Sequence, residues 1–227
     1  DLVIGTFGRS FWVLDDIRPL RELAAEGLDE LDKAIKAFDS PDAYLANWRQ
    51  AMGSRFAADA MYSGDNRPRG AMITYSVNKE LSQKSEKSDA PAASGRSWGR
   101  RGSDEEKVKV AIFDESGENI RNFEVTPDHN GVNRMQWGLE RKGMERPSRR
   151  AARPNMPEPR GGDVLPGTYK VVMSYAGSKD STMVTVHYDP RIEITMEALE
   201  ATAALEDSAG ALGAELAKAV SSLVTAE

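Results

Sequence analysis

The sequence predicts a mainly β chain with helical flanks, in which an antiparallel β-sandwich follows an orphan hairpin and a helical linker and precedes a C-terminal helix. Three observations predict it. Six short apolar or β-branched runs fall between residues 71 and 188, joined by turns with no helices between them. Residues 107–112 alternate strictly, with Val108, Val110 and Ile112 set between Lys107, Lys109 and Ala111. Beyond residue 195 the period changes to that of a helix, through Leu199, Leu205, Leu212, Leu216, Val220 and Leu223.

The opening, DLVIGTFGRSFWVLDD, holds two β-rich runs at residues 2–4 and 11–14 around a glycine-bearing turn. They read as a hairpin, and an isolated hairpin is barely stable in water. Residues 17–61 read as a helical linker. Pro19 suits a first helical turn. Leu20, Leu23, Leu28, Leu31 and Ile35 recur at roughly helical spacing, and Gly27 divides the stretch into two helices or a helix and a turn. Tyr44, Leu45, Trp48, Met52 and Phe56 make a second, weaker stripe.

The segment 62–191 is expected to be the sandwich, with strands at 71–77, 107–113, 120–125, 131–139 and a hairpin over 166–191. Long loops are expected at 78–106, nearly devoid of apolar residues apart from Trp98, and at 140–165, rich in Arg and Pro. Asp114 and Gly117 sit in a strand-joining turn. Tyr169, Val171, Met173 and Tyr175 share one strand face. Residues 192–227 form the helical end, with Gly210 and Gly213 weakening its middle.

Composition excludes several classes. A net charge of −6 argues against general nucleic-acid binding, which needs a basic surface. No run reaches the roughly 18 apolar residues of a membrane span. Cysteine is absent, which removes disulfides, thiolate catalysis and cysteine-built zinc sites. No phosphate loop, dinucleotide fingerprint, zinc or haem motif occurs, so neither a cofactor nor a metal is expected.

Candidate chemistry is thin. Gly8-Arg9-Ser10-Phe11-Trp12 is half a nucleophile elbow, but Trp12 stands where the second glycine belongs. The two histidines, His129 and His187, lie in a Pro-Asp-His-Asn loop and in a strand. Residues 114–119 evoke a calcium loop without its terminal bidentate glutamate. Asp15 and Asp16 could pair as catalytic acids, yet neighbours on a strand end point to opposite sides. Asp16 instead suits a cap for the helix that follows. No catalytic residue is assigned.

The loop at 140–165 gathers an excess of positive charge. Arg146, Arg149, Arg150 and Arg153 are its candidates for holding an acidic glycan or protein surface, against the alternative of a solvated insertion. Trp137, Tyr169 and Tyr175 could stack sugars, but at strand positions they fit a sandwich core better.

The stretch KVKVAIFDESGENIRNF, with GVNRMQWGL and LPGTYKVVMSYAG, resembles the immunoglobulin-like module of flagellar hook-capping proteins and of many secreted bacterial proteins. The residues carrying the likeness are Asp114, Gly117, Ile120, Arg121, Gly131, Asn133, Trp137, Pro166, Gly167 and Tyr169, and it implies structural roles for Asp114, Gly117, Asn133, Trp137, Pro166, Gly167 and Tyr169. DLVIGTFGRSFWVLDDI is similar to the end of the last blade in exported sortilin-like and BNR-repeat β-propeller proteins. It keeps Gly5, Thr6, Gly8, Arg9, Trp12, Asp15 and Asp16, and further on Gly64, Asp65 and Asn66. It departs at Phe7, where histidine is usual, and at Ser10, where glycine is usual.

The resemblance implies an immunoglobulin-like sandwich after a propeller-blade hairpin, on an exported protein whose propeller lies upstream. The implied role is a non-catalytic accessory or scaffold region bracing that propeller or contacting a protein or glycan. Two alternatives stand beside it: part of a propeller glycoside hydrolase of sialidase or xyloglucanase type with its catalytic residues upstream, or a glycan-binding module using the Arg-rich loop.

Overall fold

In the computed structural model, residues 1–8, 11–46, 68–85, 106–144, 147–148 and 157–226 are described. The order of elements begins with strands β1 (Leu2–Gly5) and β2 (Phe11–Leu14), helix α1 (Arg18–Glu26), a 3₁₀ turn (Leu28–Asp32), and strands β3 (Ile35–Ala37), β4 (Ala43–Leu45) and β5 (Ala71–Val77). Helix α2 (Lys79–Ser85) follows, then β6 (Val108–Phe113), β7 (Asn119–Val125), β8 (Gly131–Trp137), β9 (Glu140–Lys142), β10 (Arg160–Asp163), β11 (Gly167–Tyr175) and β12 (Ser178–Tyr188). Helix α3 (Met196–Ala226) ends the described chain. The expected fold class is what is seen: mainly β, with antiparallel sheets, helical flanks and a C-terminal helix.

Two sheets share one core. The larger runs β4-β12-β11-β6-β7 and the smaller β3-β5-β8. Period-2 alternation does the work. From the larger sheet Val108, Val110, Ile112, Tyr169, Val171, Met173, Val184 and Val186 turn inward, and from the smaller Ile73, Tyr75, Met135 and Trp137. The result is a sandwich-like arrangement. All seven residues of β5 are buried, so both of its faces are covered.

The turn after β6 is built around Asp114, whose carboxylate accepts from the Ser116 hydroxyl at 2.7 Å and the Glu118 N–H at 2.8 Å. Gly117 takes the left-handed φ of 83° that this turn requires. These bonds, the Ser116 hydroxyl foremost, hold the Asp114 carboxyl below the usual carboxylate range.

The linker departs from the expected all-helical character. The turn that Gly27 was expected to make is there, at φ 107°. Beyond the 3₁₀ turn, however, residues 35–37 join β5 in the small sheet and 43–45 join β12 in the large one. The β4–β12 pair is parallel, an exception to the antiparallel expectation. The Leu28-Leu31-Ile35 spacing imitated a helical stripe, yet Leu28 is exposed while Ile35 is in the core. Three-residue strands are too short to show alternation in sequence.

The loop expected over 140–165 has a paired base, since β9 and β10 form an antiparallel stem. The loop expected over 78–106 begins with α2. The C-terminal helix is one continuous element of 31 residues, unbroken at Gly210 and Gly213.

Candidate functional site

Two surfaces stand out: an apolar hairpin at one end of the chain, and a cleft beneath α3 near the other. Among the described residues, β1 and β2 pair only with each other, in the register Leu2–Leu14, Val3–Val13, Ile4–Trp12 and Gly5–Phe11. Successive residues point to opposite faces, yet Val3, Ile4, Phe11, Trp12 and Val13 are all exposed, so neither face is covered. The hairpin is anchored at its base. Arg134 on β8 donates to the Asp15 carbonyl at 3.0 Å, and the Asp16 N–H donates to Asp1 Oδ1 at 2.9 Å.

Asp16 is buried at φ 57°, and its Oδ1 accepts from the Arg18 N–H at 3.2 Å. Its carboxylate therefore serves an orphan donor of the first turn of α1, although Ile17 occupies the cap position itself. This turns Asp16 into the protein and leaves no shared acid pair with Asp15. Trp12 sits on β2, across from Ile4.

The cleft encloses about 520 Å³ and is lined by Leu45, Arg69, Val164, Leu165, Asp189, Arg191, Leu199 and Glu206, among others. Its charges are engaged with one another. Arg69 pairs with Asp163 at 2.6 Å, and Arg191 closes a two-pronged contact on the buried Asp189. That guanidinium, with the Arg191 N–H, holds the Asp189 carboxyl down to about 2. Among the described residues, this lining presents no nucleophile beside a base.

One wall of the cleft depends on how α3 docks. Arg141 on β9 binds Asp207 at 2.9 Å and Glu206 at 3.3 Å. The Met144 side chain fills the notch left by Gly210 and Gly213, where an added Cβ would meet it at 2.7 and 2.6 Å. The two glycines that weaken the helix in sequence are thus the seat of its contact with the stem.

The stem has a buried cation at its base. Arg121 donates through Nη1 to the carbonyls of Arg141 at 3.2 Å and Pro159 at 3.0 Å, and its Nε lies 3.6 Å from Glu140 Oε1. Glu158 accepts from the Asn122 N–H at 2.8 Å and faces Lys142 at 3.4 Å. Burial opposes its ionisation, but the Asn122 bonds and Lys142 prevail and lower its pKa. Arg160 faces Glu140 at 3.5 Å. Of the positive charges counted along this loop, Arg141, Lys142 and Arg160 already face carboxylates. Arg146, Arg149, Arg150 and Arg153 lie outside the described residues.

The remaining residues singled out in the sequence sit in the sandwich. Trp137 is buried, donates to the Glu140 carbonyl at 3.1 Å and meets Tyr169 edge-on, with ring centroids 5.4 Å apart. Buried Asn133 donates to the carbonyls of His129 at 2.9 Å and Gly131 at 2.7 Å, and accepts from the His129 N–H. Pro166 and Gly167 lead into β11, where the Thr168 N–H donates to Glu115 at 3.0 Å. His187 is 3.0 Å from Asp42 and stacks at 5.3 Å on Tyr44, on the surface. Among the described residues, no hydroxyl nucleophile is bonded to that pair.

Arg121 is the structural residue whose role sequence reasoning missed, although a signal existed. It shares the strand face of Phe123 and Val125, so the same alternation that marks the core marks it. Among the described residues, no three His, Asp or Glu side chains converge as a metal site, and no helix is long and apolar enough to cross a membrane. No family model, curated protein or solved structure matches this chain.

Proposed function

We propose that this chain is a non-catalytic accessory or scaffold region of a larger exported β-propeller protein. On this reading, β1 and β2 complete a blade encoded upstream, and the sandwich is an immunoglobulin-like module that braces the propeller or presents a surface to a protein or glycan. The observation that carries it is the hairpin. Two strands with apolar residues open on both faces gain stability when other strands cover them, and uncovered edges invite wrong pairing. Two further features support an immunoglobulin-like module: the Tyr169 hydroxyl bonded to the Leu165 carbonyl at 2.6 Å, and the tryptophan packed beside it.

The test is the size and content of the native protein. An antibody against the sandwich should detect a species far above 24.9 kDa, with β-propeller repeats encoded immediately before residue 1. A native species of 24.9 kDa overturns the reading. Turnover of any glycoside by the chain alone overturns its non-catalytic part.

A further inference from the structure

Helix α3 carries an apolar stripe that nothing in the sandwich covers. At about 100° per residue, Leu205, Leu212, Leu216 and Leu223 fall within roughly 20° of one line along the helix, and Ala209 and Ala219 flank it at roughly 40°. All four leucines are exposed, three of them by about 70%. The side that faces the body is a different one, marked by Glu206, Gly210 and Gly213. The stripe is therefore open along most of a helix about 46 Å long.

The spacing of the stripe is symmetric. About the level of residue 214, Leu205 mirrors Leu223, Ala209 mirrors Ala219, and Leu212 mirrors Leu216. A two-fold contact requires each position to meet its mate on the other copy, and at the six positions of the stripe every mate is the same residue type. We propose that α3 pairs antiparallel with α3 of a second copy, across a two-fold axis at the level of residue 214. In that pair Leu212 meets the other copy's Leu216 near the axis and Leu205 meets Leu223 at the ends. The alanines between allow close approach. The antiparallel arrangement also sets the two helix dipoles head to tail.

The area fits such a partner. Six side chains per helix offer on the order of 500 Å² each way, about 1,000 Å² in the pair, which is the low end for a specific interface. Glu215 stands beside the axis in both copies, so the pair is weakest at low ionic strength.

The whole chain contains no cysteine, which makes cross-linking clean. Ala209→Cys and Ala219→Cys variants are prepared separately and oxidised, alone and mixed, with mass measured by light scattering between micromolar and several hundred micromolar. An antiparallel pair cross-links strongly only in the mixture, and its mass rises to that of a dimer with concentration. Leu212→Glu with Leu216→Glu, both exposed, raises the dissociation constant by on the order of 100-fold while the unfolding midpoint of the monomer stays put. A monomer throughout the range overturns the proposal, and so does cross-linking by each single variant alone, which marks a parallel pair.

Discussion

The hydroxyl of Tyr169 donates to the carbonyl of Leu165 at 2.6 Å, tying the start of β11 to the connection that leaves the stem two residues after β10. Burial, with the nearby carboxylates of Asp114 and Glu115, pushes this phenol up to about 12, against the partial relief of Arg141. Tyr75 in the core is pushed up to about 12 as well, chiefly by burial. The unfolded chain releases both protons near 10, and the folded chain retains them, so stability is whole below pH 10 and falls as pH rises from about 10 to about 12. Tyr169→Phe should cost about 1 kcal/mol at neutral pH, and should remove about half of the alkaline loss contributed by the two phenols. Urea unfolding at pH 7 and pH 11 checks both.

Acid acts through Asp189. Its folded pKa of about 2 lies below the usual carboxylate value because of the Arg191 guanidinium and N–H. The resulting stabilisation is present above pH 4 and disappears as pH falls from about 4 to about 2. Asp189→Asn should flatten the pH dependence of the unfolding midpoint in that window relative to the parent chain. An unchanged slope contradicts the pairing.

Arg121 is the fastening of the stem. Arg121→Met keeps most of the buried volume but strands the carbonyls of Arg141 and Pro159, and should cost about 3 kcal/mol. Hydrogen exchange should accelerate first at residues 140–142 and 160–163. If exchange there matches the parent, the contact carries no stability.

Gly70 tolerates no side chain. It precedes β5 at φ 107°, and a Cβ there would collide with the Trp137 carbonyl oxygen on the neighbouring strand. Because the obstacle is backbone, it cannot swing away. Gly70→Ala should destabilise by at least ~3 kcal/mol, whereas Gly213→Ala meets the flexible end of Met144 and should change stability by less than about 1 kcal/mol. Thermal melts of the two variants, side by side, decide the contrast.

The six sandwich strands were legible because each is long enough for alternation to repeat: Val108-Val110-Ile112 and Tyr169-Val171-Met173-Tyr175 leave little choice of face. Short elements were not. Ile35-Lys36-Ala37 is a single alternation, and Arg160-Gly161-Gly162-Asp163 has none, so β3 and β10 exist through their partners rather than their own patterns. Arg121 escaped because an arginine on a strand reads as solvent-facing, and its worth lies in carbonyls 20 and 38 residues downstream. The hairpin at residues 2–14 was plain from its turn and β-rich runs. The α3 docking was hidden, because the glycines that look like helix faults are the socket for Met144.

The parallel pairing of β4 with β12 joins Ala43 to Val186, and the Asp180 carboxylate receives the Ala37 N–H from 143 residues away. On a ribosome, residues 37 and 43 must therefore wait until residues 180 and 186 have emerged before this edge is zipped. Such long-range closure slows assembly, and until it happens the nascent chain exposes strand-forming backbone to its neighbours. The need of this region for protection should be greatest until β12 has emerged and fall sharply once it pairs with β4.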